Sequence, residues 1–176
     1  IYIFAASPTI EGFTIRNGYA STGAGIFKVT IQGSLIRNNR FYNNTVTGSG
    51  LQSGGAISTQ GADTIVGNVI YDNDANANGG GIFVDNQSSS PIIIQYNRIY
   101  NNDAGTAGSA TLGGGIYIFN GPATIDGNEI FNNRAGFGGG IGVSNQSNIN
   151  ALIQNNLIYD NQTLYVDTTL GTGGGV

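Results

Sequence analysis

An asparagine recurs at nearly constant intervals along this chain: Asn39, Asn68, Asn97, Asn128 and Asn156 are 29, 29, 31 and 28 positions apart. Two residues after each stands an apolar side chain (Phe41, Ile70, Ile99, Ile130, Ile158). Three further on comes a second asparagine: Asn44, Asn73, Asn102, Asn133, Asn161. A glycine cluster ending in an aliphatic follows, at residues 54–57, 79–82, 113–116, 138–141 and 173–176. A degenerate first copy keeps Phe13, Ile15, Gly18 and the Gly-Ala-Gly-Ile run at 23–26. Six units account for almost all of residues 1–176, which therefore read as a single repeat domain. A unit this short cannot bury its own apolar face, so units must stack and share one continuous core.

The residue types decide which secondary structure is stacked. Thirty glycines and 23 asparagines interrupt every stretch, and no apolar run follows a 3.6-residue period, which excludes helix. The apolar pieces are short and β-branched, as in "TIVG", "GIFV" and "PIII", and they are bounded by turn residues. Three short strands per unit make one coil of a β-solenoid, with coils stacked at roughly 5 Å, the spacing of hydrogen-bonded strands. Equivalent positions then form physical columns. Ile10, Ile36, Ile65, Ile94, Ile125 and Ile153 are expected as one inward stack, and Ile26, Ile57, Ile82, Ile116, Ile141 and Val176 as another.

Asparagine and glycine have architectural uses in such a fold. Asparagine tolerates the left-handed backbone of a sharp turn and can bond to its counterpart one coil away, so Asn44, Asn73, Asn102, Asn133 and Asn161 are expected as a ladder at a turn. Glycine lets the chain turn tightly beside its neighbours. The "GGG" runs precede strands, with no helix and no Lys-Ser/Thr after them, so they are not nucleotide loops. The Asp spacing of the calcium-binding nonapeptide repeat is also missing.

On these repeats the chain resembles the right-handed parallel β-helix superfamily, the architecture of pectate lyases and of many bacterial surface proteins. The fold implied is all-β: a right-handed single-stranded parallel β-helix of about six coils. "FYNN" (41–44) followed by "GGAI" (54–57) is similar to the FxxN and GGA(I/L/V) repeats of chlamydial polymorphic membrane proteins, which are adhesins. The resemblance implies an extracellular or cell-surface module with a structural or adhesive role. The competing reading is a carbohydrate-active enzyme, a polysaccharide lyase or glycoside hydrolase, on the same fold.

Composition removes other classes. Without Cys or His there are no disulfides, no usual zinc or copper site and no Cys–His or Ser–His machinery. Six scattered basic residues at a net charge of −4 leave no nucleic-acid footprint. No stretch approaches a transmembrane helix. The first and last residues fall within coil-like pattern, so the open ends are expected to meet further coils of the same chain or identical subunits stacked end to end.

Four outward features are candidates for function. Tyr42, Tyr71, Tyr100, Phe131 and Tyr159 form an aromatic column whose ring faces could lie against sugars or a partner, and equally could stack on one another. A second column of Phe27, Phe83 and Tyr117 is interrupted by Ser58 and Gly142. Asp72, Asp74, Asp103 and Arg134 are the catalytic candidates of the enzyme reading, and Asp74 with Asp103 the only calcium candidates. No cofactor is expected otherwise, and ordinary solvated turns account for the same acids. Glu11 with Arg37 and Arg98 with Glu129 should pair across adjacent coils. Long connections in the second, fourth and sixth units mark one edge as a binding edge. Sequons at Asn43, Asn86, Asn145 and Asn161 are consistent with glycosylation.

Overall fold

The computed structural model describes residues 1–48, 53–105, 110–144, 150–164 and 173–174. Val176, Asn145 and most of the long connections lie outside the described residues. Each coil contains four strands, where the sequence suggested three. In the third coil they are Ile57–Thr59, Thr64–Val66, Val69–Tyr71 and Asp74–Ala75. Equivalent strands pair in parallel from coil to coil, giving four six-stranded sheets that are numbered here in chain order. The unforeseen fourth strand has only two residues, too short for alternation to reveal. Its inward column is small: Val46, Ala75, Ala104 and Ala135 are all fully buried.

The register follows the repeat. Ile10, Ile36, Ile65, Ile94, Ile125 and Ile153 pair in succession along the second sheet. Ile26, Ile57, Ile82, Ile116 and Ile141 do so along the first. Ile15, Phe41, Ile70, Ile99, Ile130 and Ile158 form the stack of the third sheet. These columns meet in one core that runs the length of the solenoid. A one-residue slip would turn every isoleucine out to solvent, so burial holds the register.

The turns correct the role given to asparagine. The ladder residues themselves are not left-handed; the residue before each one is. Asn38, Gly67, Tyr96, Gly127 and Asn155 have φ between 54° and 66° at the corner between the second and third sheets. Asn43, Asp72, Asn101, Asn132 and Asp160 have φ between 52° and 54° at the next corner. The left-handed residue swings the following asparagine inward, where its amide is buried. There are accordingly two ladders, the second foreseen one and another through Asn39, Asn68, Asn97, Asn128 and Asn156. In the glycine clusters, Gly79, Gly113 and Gly138 take positive φ. A Cβ on Gly114 would lie 2.4 Å from the Gly139 carbonyl oxygen of the adjacent coil.

One part of the core is polar. Lys28 occupies the inward column that holds Ile3, Val84 and Ile118 in other coils, and its side chain is fully buried. Its Nζ lies 3.0 Å from Asp63 Oδ1, with both side chains inaccessible. Lys28 also donates to the carbonyls of Thr30 (3.0 Å) and Gln32 (2.5 Å). Asp63 accepts from the Ser34 N–H (2.6 Å) and from the Thr59 hydroxyl. All three ammonium protons have acceptors, so the pair closes the corner between the first and second sheets instead of leaving two stranded charges. Removing one partner alone leaves a buried charge, which costs about 3–5 kcal/mol. Lys28→Met should therefore lower stability by that amount in denaturant melts. Lys28→Met combined with Asp63→Ile, the residue type at the equivalent place in the next coil, should cost markedly less than the two single losses added together.

Candidate functional site

The aromatic column lies on the outer face of the third sheet, one position beyond the inward stack. Parallel in-register pairing sets Arg16, Tyr42, Tyr71, Tyr100, Phe131 and Tyr159 one above another. The five rings stack with centroids 5.1, 5.1, 4.9 and 4.9 Å apart and planes within 16° of parallel. The strand spacing imposes this separation, and each ring covers its neighbour's face. The Arg16 guanidinium sits 5.9 Å from the centroid of Tyr42 and covers the first face. Ring edges and hydroxyls are therefore what the described ladder offers along its length. Sugar rings lying flat on successive aromatic faces, the contact the spacing alone suggested, have no room between them.

Charged groups knit the same face together. Arg98 Nε lies 2.8 Å from Glu129 Oε2, and its Cζ is 5.1 Å from the centroids of both Tyr100 and Phe131. The Tyr159 hydroxyl donates to Glu129 Oε1 at 2.8 Å. That hydrogen bond first, then Arg98, holds the Glu129 carboxyl below its ordinary range. On the second sheet Arg37 pairs with Glu11 at 2.8 Å, and Arg37 likewise lowers the Glu11 carboxyl. Both ion pairs read from the sequence are present, in exposed positions where each contributes little to stability.

The acidic candidates divide between a corner and a strand. Asp74, Asp103 and Arg134 are consecutive partners along the fourth sheet, so they belong to a strand and not to a turn. Asp72 is the left-handed corner residue two positions earlier. Arg134 binds Asp103 Oδ2 through Nε (3.1 Å) and, more closely, Nη2. Asp103 Oδ1 is enclosed and accepts no hydrogen bond. Burial first, and then the Asp103 carboxylate, pushes Asp74 above its ordinary value, while Arg134 acts in the opposite sense. An open depression here is lined by Asn101, Asp103, Asn132, Arg134, Asp160 and Gln162.

As a calcium site this set is poorly matched. Calcium takes six to eight oxygen ligands, and the Arg134 guanidinium is bound to the central carboxylate. Among the described residues no group of three or more His, Cys, Asp or Glu side chains is placed to hold a metal ion.

The remaining candidates fare differently. Phe83 and Tyr117 are 1% and 2% exposed, so the interrupted second column is not an accessible track. Asn43 is exposed. Asn86 is corrected as a glycosylation candidate: it is buried, and its Nδ2 donates at 2.9 Å to the carbonyls of both Ser90 and Pro122, which leaves the amide inaccessible in the folded chain. Asn161 is half-buried with its Nδ2 donating to the Ile130 and Tyr159 carbonyls. Two features escaped sequence reading. Lys28 and Asp63 are 35 positions apart with no charge pattern joining them, and only the inward column of Lys28 could have flagged it. An uncharged depression lined by Gln87, Ser88, Ser89, Asn120 and Asn150 lies where the corners of three successive coils come together.

The Asp74 arrangement has a pH signature. Its folded-state pKa is raised, so the ionised group costs the folded chain stability wherever it is charged, and that cost disappears as pH falls through the folded pKa. Asp74→Asn should raise the unfolding free energy at pH 7 by less than about 1 kcal/mol, the scale of exposed charge pairs. The gain should vanish as pH is lowered toward the ordinary value of 3.8. A gain that grows on acidification would contradict the arrangement.

No curated protein and no solved structure matches the chain. A family model described as "right handed beta helix region" matches residues 1–162, nearly all of the coils described above. That match supplies the winding sense, in accord with the right-handed preference of parallel crossovers. On stacked parallel strands, shared columns and this match together, the chain belongs to the right-handed β-helix family.

Proposed function

We propose that the chain is a structural or adhesive module of an extracellular or cell-surface protein and that it acts without catalysis. The observation supporting this is where the chemically capable side chains are used. Arg37–Glu11, Arg98–Glu129–Tyr159, Arg134–Asp103 and Lys28–Asp63 each join one coil to the next, and the ladder asparagines do the same. A polysaccharide lyase or hydrolase needs carboxylates free to move protons or to hold a cation. Here Asp103, at the centre of the candidate group, is bound to Arg134. The partner in this reading is a glycan, met along the flank of the solenoid.

Glycan contact on the third sheet would use ring edges, tyrosine hydroxyls and the exposed guanidiniums of Arg16 and Arg40, so it would be polar instead of ring on ring. The competing reading draws on the Asp103–Arg134 depression. Incubation with polygalacturonate, alginate and neutral plant and bacterial glycans should release no new reducing ends or unsaturated products. Product release that Asp103→Asn abolishes would establish the enzyme reading in its place.

A further inference from the structure

The corner between the second and third sheets places one residue per coil at positive φ. Five members of that column suit it: Gly12, Asn38, Gly67, Gly127 and Asn155. The sixth is Tyr96, at φ 54°. Asparagine reaches this backbone with a short polar side chain and glycine with no Cβ at all, whereas a bulky ring there strains the chain. Among the described residues no other aromatic side chain stands at positive φ.

The fold gains little from this ring in return. Tyr96 is 65% exposed. Among the described residues no ring stacks on it, no guanidinium lies over it and its hydroxyl makes no hydrogen bond. That separates it from the Tyr42 to Tyr159 ladder, whose ring faces cover one another. The neighbouring coils hold Gly67 and Gly127 in the same column, so neither brings a side chain against the ring. Gly127 seats one ring edge: a Cβ there would lie 2.6 Å from Tyr96 Cε1 and 2.8 Å from Cδ1. Backbone strain that packing does not repay gathers where a chain meets something other than itself.

The side toward which the ring leans carries a planar polar row. Gln95 Nε2 donates to Asp126 Oδ2 at 3.2 Å, and Asn155 Nδ2 donates to Asp126 Oδ1 at 2.9 Å. Gln95 and Asp126 pair across adjacent coils and immediately precede Tyr96 and Gly127, so the row borders the ring. Gln95 Oε1, Asn155 Oδ1, the second N–H of each amide and the remaining carboxylate lone pairs of Asp126 stay open among the described residues. The Asp126 carboxylate is met here by neutral amides, while Arg98, on the third-sheet side of the corner, is taken by Glu129.

We propose that Tyr96, with Gln95, Asp126 and Asn155, is a binding site for one neutral pyranose unit of a glycan. The C–H face of such a sugar packs on an aromatic face. Its rim of hydroxyls, each both donor and acceptor, matches a row of amide and carboxylate groups. An unneutralised carboxylate on a chain of net charge −4 turns away uronate and sulfated sugars. The assignment shares its class of partner with the structural or adhesive reading and differs in where that partner is held. On the third sheet the ring faces are already taken; at this corner one is free.

Tyr96→Gly removes the ring and installs the residue that the column holds in both neighbouring coils. The variant should therefore be at least as stable as the parent chain in denaturant melts. Binding is read by saturation-transfer NMR and titration with neutral oligosaccharides of glucose, galactose, mannose and xylose, beside oligogalacturonate. At least one neutral oligosaccharide should bind the parent chain, with saturation passing from tyrosine ring protons to sugar C–H protons, and oligogalacturonate should not. Tyr96→Gly should weaken that binding about tenfold, the scale of one lost aromatic contact. Tyr96→Phe should keep it, and Arg40→Gln on the third-sheet face should leave it unchanged. A Tyr96→Gly variant clearly less stable than its parent would mean that the ring serves the fold, and would overturn the proposal. Undiminished binding in that variant would overturn it too, and with a loss in Arg40→Gln would return the glycan to the third sheet. Failure of every neutral oligosaccharide to bind would also overturn it, whether or not oligogalacturonate binds, and would leave the structural role standing.

Discussion

Everything in this fold leans on how two sharp corners per coil dispose of their backbone polar groups. A corner turns strand direction inside a dry stack, so its N–H and C=O groups point where water cannot reach. A buried amide left unpaired costs about 1–3 kcal/mol, and two such corners in every coil would cancel the gain from burying the isoleucines beside them. The asparagine side chain solves this by standing in for backbone. Its Oδ1 takes the N–H and Nδ2 of the coil before, and its Nδ2 takes that coil's orphan carbonyl. Each rung thereby satisfies the corner and fixes the register of adjacent coils in one step.

The outer surface follows from that register. Once coils are locked one strand spacing apart, any outward residue type that repeats must become a stack. Tyr42 to Tyr159 form a continuous pile for that reason, and the same geometry sets Asp74 beside Asp103 and Arg134 beyond them. What looked like a row of separate contact points is a column whose members are already one another's partners. This is why the surface reads as construction more readily than as chemistry.

The repeat made the inward columns legible, because burial and a period of about thirty residues act on the same positions. Ile94 could be aligned with Ile125 without coordinates, and the structure pairs them. The fourth strand was not legible: Asp74–Ala75 has no room for alternation, and alanine is an ordinary turn neighbour. The left-handed corner was misassigned by one residue, since Asn43 and Asn44 are the same residue type with opposite duties, one exposed at φ 53° and one buried in the ladder. Of the candidate sites, the membership of the aromatic and acidic columns was readable, but their availability was not. Whether a ring face or a carboxylate is free depends on its neighbours' rotamers, which spacing does not encode. Lys28 and Asp63 meet across a corner, beyond the reach of any local pattern.

The central claim is that the ladders, and not the strands alone, hold the corners of each coil. Hydrogen exchange at single-amide resolution on the intact chain tests it most directly. The account predicts that the N–H groups of Asn39, Asn68, Asn97 and Asn128, and of Asn44, Asn73, Asn102 and Asn133, exchange as slowly as neighbouring core-strand amides. Fast exchange at these interior rungs, with protection confined to the strands, would contradict it.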